Sequence, residues 1–195
     1  MMVKRYSMTL NVAAIGFVLI LALLSQVSLA KSDNDPPVFR TYDSQFTRIR
    51  PLRQAPLTPI LTADGGVLNL SRFQGKVVLL NFWATWCPPC IREMPSLDRL
   101  QAELGGDTFT VVVLSIDRLG LDVVAPFFKR LGLKNLTIYL DPKSTAGNAF
   151  GLYGLPISYI IDHEGLVMGY LVGAAEWDSV EARSLLNYYI GRIGD

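Results

Sequence analysis

The chain has two cysteines, Cys87 and Cys90, held apart by two prolines. Thiols at this spacing have three chemistries open to them. They can trade electrons with a foreign disulfide, form a static bridge, or supply half of a metal site. Exchange needs an accessible thiolate, a second thiol that reaches the mixed disulfide, and matched leaving groups. A structural zinc site takes four protein ligands, and His163 is the only histidine that could join the thiols. A static bridge here would close a very short loop and restrict the unfolded chain little. Transient copper binding remains open as a further use of the same thiols.

Redox use requires elements that hold the pair at a helix start. The run Val77 to Trp83 is apolar throughout, as in a strand covered on both faces. Ile91, Met94, Leu97, Leu100 and Leu104 recur at spacings of three and four, which predicts a helix from near Pro88 to about Leu104. Pro88 is tolerated in a first turn. Pro95 lies inside the pattern and predicts a kink. Gly105-Gly106 ends the helix. A helix N-terminus favours negative charge and depresses the pKa of a thiol there. Cys87 comes first and is expected to be exposed, which makes it the attacking thiol. Cys90, one turn inward, is the resolving thiol. Pro88 and Pro89 stiffen the loop between them.

Around this unit the chain divides in three. Residues 1–30 open with Lys4 and Arg5 and run apolar to Ala30. They read either as a cleaved signal ending near Ala30 or as a retained anchor, residues 10–30, long enough to span a bilayer. Either way the remainder faces away from the cytoplasm. Residues 31–55 are polar and broken by Pro36, Pro37 and Pro51, and read as a linker or loosely held arm. Residues 56–195 suit one domain with a real core. Setting aside Lys4 and Arg5 leaves 16 basic and 17 acidic residues, a balance that gives no sign of a nucleic-acid partner.

Within the domain, 57–61 and 67–70 read as strands joined by Asp64-Gly65-Gly66. Phe109 to Ile116 reads as a buried strand, Leu121 to Leu131 as a helix, and Leu136 to Leu140 as a short strand. Residues 141–150 read as a turn and short helix. Ile157 to Ile161 and Leu166 to Val172 flank a turn at Asp162-His163-Glu164-Gly165, with His163 on the surface. A closing helix over 177–190 would turn Trp177, Val180, Leu185 and Tyr189 inward. Strands alternating with helices, then a hairpin and a helix, imply an α/β sandwich with a mixed sheet.

Three signatures give the chain a family likeness: Gly75 to Cys90, its continuation Ile91-Arg92-Glu93-Met94-Pro95, and Gly154 to Gly165. Over roughly residues 55–190 it resembles the thioredoxin superfamily, specifically the exported thiol-disulfide oxidoreductases of the TlpA, ResA and CcmG type. The resemblance implies a thioredoxin-like fold, a central mixed sheet flanked by helices, with an N-terminal β-hairpin extension. It implies that Pro156 is the cis-proline facing the dithiol, with Leu155 and Pro156 beside Cys87 in the substrate groove. Glu93 matches an acidic residue that can accept a proton from Cys90. Asn81 stands where cytoplasmic thioredoxins carry a buried aspartate, and an amide cannot be that base. Trp83 and Trp86 pack around the dithiol, Trp86 as a docking surface. Ile157 and Tyr159 depart from the usual threonine and phenylalanine.

The implied function is reduction of disulfides in exported clients on the periplasmic side of the bacterial inner membrane, for cytochrome c maturation or respiratory copper-site assembly. A membrane electron donor of the DsbD or CcdA type would recharge the dithiol. No dissociable cofactor is implied, since Cys87 and Cys90 carry the electrons. A disulfide-forming oxidant would use the same residues in reverse, and a copper-binding assembly protein would use the thiols as ligands.

Overall fold

The computed structural model describes residues 35–194. The signal or anchor expected over 1–30 lies outside the described residues. Among those described, no helix is long and apolar enough to cross a membrane.

Eight strands form one sheet in the order β1-β8-β7-β4-β5-β6-β2-β3. They are β1 (Thr47–Gln54), β2 (Ile60–Thr62), β3 (Val67–Leu68), β4 (Val77–Trp83), β5 (Phe109–Ser115), β6 (Ile138–Leu140), β7 (Ile157–Ile161) and β8 (Leu166–Val172). Helices α1 (Pro88–Leu104), α2 (Leu121–Leu131), α3 (Thr145–Phe150) and α4 (Val180–Ile190) fill the connections. β4, β5 and β6 run parallel. β7 lies antiparallel beside β4, and β8 pairs antiparallel with β7 on its far side. The expected N-terminal hairpin is β2 and β3, paired antiparallel and attached to β6.

β4 is buried at every position. Its side chains alternate between two cores, as a strand of period two requires. Val77, Leu79 and Trp83 belong to the core that includes α1, α2 and α4. Val78, Leu80 and Phe82 belong to the core that includes α3 and β7. That alternation turns Asn81 toward α1, where it hydrogen-bonds Glu93.

Three expectations need correction. Of the linker expected over 31–55, the described part, from residue 35 on, is built into the fold: β1 pairs antiparallel with β8, and Phe39 and Phe46 are buried. The prolines and polar residues that suggested a linker are compatible with a sheet edge, where a strand needs partners on one side only. A register shift between Arg48 and Arg53 accommodates Pro51, whose peptide bond is cis. Second, the closing helix begins at Val180, and Val180 is exposed while Trp177, Leu185 and Tyr189 are buried. Ser179 caps this helix by accepting from the Ala182 N–H at 3.2 Å. Trp177 therefore lies on the loop ahead of it. Third, His163 is half-buried, with its Nδ1 enclosed. α1 runs unbroken through Pro95.

The edge pairing depends on Gly169, opposite Arg48. A Cβ at this position would strike the Phe46 ring and the Thr47 carbonyl. Gly169→Ala is therefore expected to loosen β1 and to cost about 1–3 kcal/mol by overpacking. Urea unfolding of the variant beside the wild type measures it.

Candidate functional site

The dithiol sits where β4 gives way to α1. Cys87 is the N-cap residue of α1, and its Sγ accepts from the Cys90 N–H at 3.3 Å. Pro88 and Pro89 occupy the first two helical positions, where a missing N–H forfeits no intrahelical bond. The preceding Thr85 is fixed by Asp117, which accepts from the Thr85 N–H at 2.9 Å and its hydroxyl at 2.7 Å. Ser115 donates to the same carboxylate at 2.8 Å. Asp117 thus anchors the approach to the cysteines, a role the sequence reading missed because 32 residues separate it from Thr85.

Cys87 and Cys90 are joined as a disulfide, the oxidised form of the pair. Cys90 is fully buried. Cys87 was expected to be exposed and is only 4% so. It opens into a groove of about 530 Å³, which Trp86, Pro88, Pro89, Ile116 and Leu155 help to line. Among the described residues, no charged side chain lines this groove. Trp86 is 65% exposed at its rim, as a docking residue requires. Trp83 takes the other course. It is buried against Phe127 and Phe128, with ring centroids at 5.0 and 6.0 Å.

The Leu155–Pro156 peptide bond is cis. Pro156 is buried, and its carbonyl accepts from Gly173 N at 2.9 Å. Leu155 lines the Cys87 groove and also a second cavity, of about 770 Å³, on whose wall Glu93 lies.

Glu93 follows Cys90 by one helical turn and is 1% exposed. One carboxyl oxygen accepts from Asn81 Nδ2 at 2.8 Å. The other accepts from Ala175 N at 3.0 Å and Trp177 Nε1 at 3.2 Å. Burial pushes the carboxyl up to about 7. The three donors oppose that rise, and the Glu176 carboxylate adds to it. Desolvation disfavours the charged form more than these hydrogen bonds favour it.

Asn81 suits a carboxyl that changes protonation. Its Nδ2 also donates to Ser158 Oγ at 2.9 Å, while its Oδ1 is buried with no partner among the described residues. Turning the amide over would offer Oδ1 to a protonated Glu93. Ser158 can follow, because a hydroxyl both donates and accepts. Ser96 ties down the donor loop: it accepts from Trp177 N at 3.1 Å and donates to the Glu93 carbonyl at 2.7 Å. Ser96, Ser158, Ala175 and the indole of Trp177 had no signal in the local pattern. Ser96 meets the Glu93 carbonyl one turn along α1, whereas Ser158, Ala175 and Trp177 meet Asn81 or Glu93 only through the tertiary fold.

A dithiol at a helix start, beside a cis-proline loop and a carboxyl that titrates near neutrality, can exchange electrons and a proton with a partner disulfide. Known proteins agree. The Redoxin family profile matches residues 32–187. The thiol-disulfide oxidoreductase ResA of Bacillus thuringiensis subsp. konkukian is 30% identical over 146 residues, covering 73% of this chain and 83% of its own. The thioredoxin-like protein YneN of Bacillus subtilis is 30% identical, covering 75% and 85%. Among solved structures, a Chlorobium tepidum protein assigned as thiol:disulfide interchange protein DsbE superposes with a TM-score of 0.63 at 29% identity, covering 71% of this chain and 96% of its own. Fold, site and relatives converge: the chain belongs to the Redoxin family and is a thioredoxin-fold thiol-disulfide oxidoreductase whose clients bear disulfides.

Proposed function

We propose that the protein reduces disulfides in exported proteins. The Cys87 thiolate attacks one sulfur of a client disulfide, and the other client sulfur leaves as a thiolate. Glu93 takes the proton of Cys90, directly or through one water. Cys90 then attacks Cys87 Sγ, which releases the second client sulfur and closes the Cys87–Cys90 bridge. Two electrons have passed to the client. A membrane dithiol donor of the DsbD or CcdA type returns them, and the dithiol needs no dissociable cofactor.

The observation that carries this reading is the buried Glu93 carboxyl, one turn from the bridge and raised to about 7. A group poised near ambient pH can both take and return a proton. The uncharged groove at Cys87, with Trp86 on its rim, suits an apolar client segment around the target cysteine. The chain acts on the periplasmic side of the inner membrane, tethered by residues 10–30 or released near Ala30. Its clients are apocytochrome c or a respiratory copper-site protein.

The test is to express Cys90→Ser in the native cell and identify its mixed-disulfide partners by mass spectrometry. Exported proteins with paired cysteines are expected. The reduction potential of the wild-type pair fixes direction. A value more oxidising than the compartment would replace this reading with that of a disulfide-forming oxidant.

A further inference from the structure

The segment ahead of β1, first read as linker, reaches the proton-handling side of the site. Phe39 is 3% exposed, and its ring centroid lies 5.4 Å from that of Trp177, tilted by 52°. Trp177 is the indole that donates to Glu93. The backbone holds Phe39 in place. Its carbonyl accepts from Phe46 N at 2.9 Å, Arg40 bridges Gln45, and Thr41 N donates to Ser44 O at 2.8 Å. Residues 39–46 are thus a closed loop that presents one ring to the site.

We infer that Phe39 is a positioning residue for Glu93: it packs on Trp177, holds that indole on the carboxyl, and keeps water from its outer side. Phe39 and Glu93 line the same cavity, so removing the ring would widen that cavity on the carboxyl's side. This rests on the reading of Glu93 as the proton acceptor.

Charge is the competing influence on Glu93. The groups around the cavity are Arg92 on α1, Glu176 on the donor loop, Glu181 on α4, and Arg40 and Asp43 on the arm. Asn81 and Ser158, which approach from the sheet, are neutral. Phe39→Ala leaves all these charges in place and removes only the ring. Two effects then compete. Loosening the indole weakens one donor, which raises the carboxyl. Admitting water relieves desolvation, which lowers it. The ring borders the cavity that Glu93 lines and reaches the carboxyl's donors only through Trp177, so water entry is expected to outweigh the weakened bond and the net shift to be downward.

The experiment titrates Glu93 in the oxidised full-length chain by carbon-13 NMR of its side-chain carboxyl. Phe39→Ala is expected to lower the midpoint by about one pH unit, and Phe39→Leu, which keeps an apolar cover, to restore most of it. Trp177→Phe keeps a ring for Phe39 to pack on but deletes the Nε1 donor, so it is expected to move the midpoint upward. The opposite signs separate the two parts of the role, the water cover read by Phe39→Ala and the indole donor read by Trp177→Phe. An unchanged midpoint in a folded Phe39→Ala protein overturns the inference. So does a downward shift in Trp177→Phe, which stands as the deciding variant if Phe39→Ala does not fold. The titration involves no client, so it stands apart from the proposed reaction. Exchange kinetics unaltered by Glu93→Gln would remove the proton-acceptor reading and leave the Phe39 result intact.

Discussion

Cys87→Ser is expected to leave a folded protein that reduces no client disulfide, while Cys90→Ser forms mixed disulfides and cannot release them. The asymmetry follows from position. Cys87 caps α1 and opens into the groove; Cys90 is fully buried behind it. A client sulfur can reach the first and not the second. Removing Cys87 removes the nucleophile, and a serine hydroxyl at neutral pH does not replace a thiolate. Removing Cys90 spares the attack and deletes the resolving step. Neither change threatens the fold, because the bridge spans three residues and loop closure that short contributes little. Insulin reduction under a continuous thiol supply measures turnover, and non-reducing gels measure trapping. Turnover by the Cys87 variant at the wild-type rate would remove the assignment of roles.

Glu93→Gln should separate chemistry from folding. Glutamine has the shape of glutamate. Its oxygen can accept from Ala175 and Trp177, and its amide can donate to Asn81 Oδ1 once that side chain turns over. The site stays satisfied but can no longer take a proton. Client reduction is expected to slow by about 10²-fold, the low end for general-base catalysis. The rate inflection near pH 7 should vanish with it.

Stability should move the other way. Glu93 titrates near 4.5 unfolded and at about 7 folded. Between these values the folded state binds more protons than the unfolded state, so stability falls as pH rises through this window. Above pH 7 the burial of the ionised carboxyl costs about 3 kcal/mol relative to acid conditions. Glutamine carries no such cost. The variant should therefore gain stability relative to the wild type between pH 5 and pH 8, as read by denaturant unfolding at both. Parallel pH dependence in the two proteins would mean that Glu93 titrates elsewhere.

The sequence by itself determined the parts whose causes are local. The dithiol spacing, the apolar run of β4, the helical period of α1 and the turn at Asp162 to Gly165 all stood in the chain as adjacent residues. Each reappears in the fold within a residue or two. The cis-proline and the acidic residue came through resemblance, since Pro156 and Glu93 taken alone read as a turn proline and a solvated glutamate.

Only the tertiary structure decided what surrounds them. β1 was hidden because an edge strand tolerates the prolines and arginines that exclude a central one. Cys87 proved nearly closed, since it belongs to the buried core cluster and meets solvent only at the groove it shares with Trp86, Pro88 and Leu155. The partners of the Asn81–Glu93 pair lie 77 to 84 residues away along the chain. A carboxyl's proton affinity depends on the water it loses and the donors it meets, and at that separation both exist only once the sheet has closed.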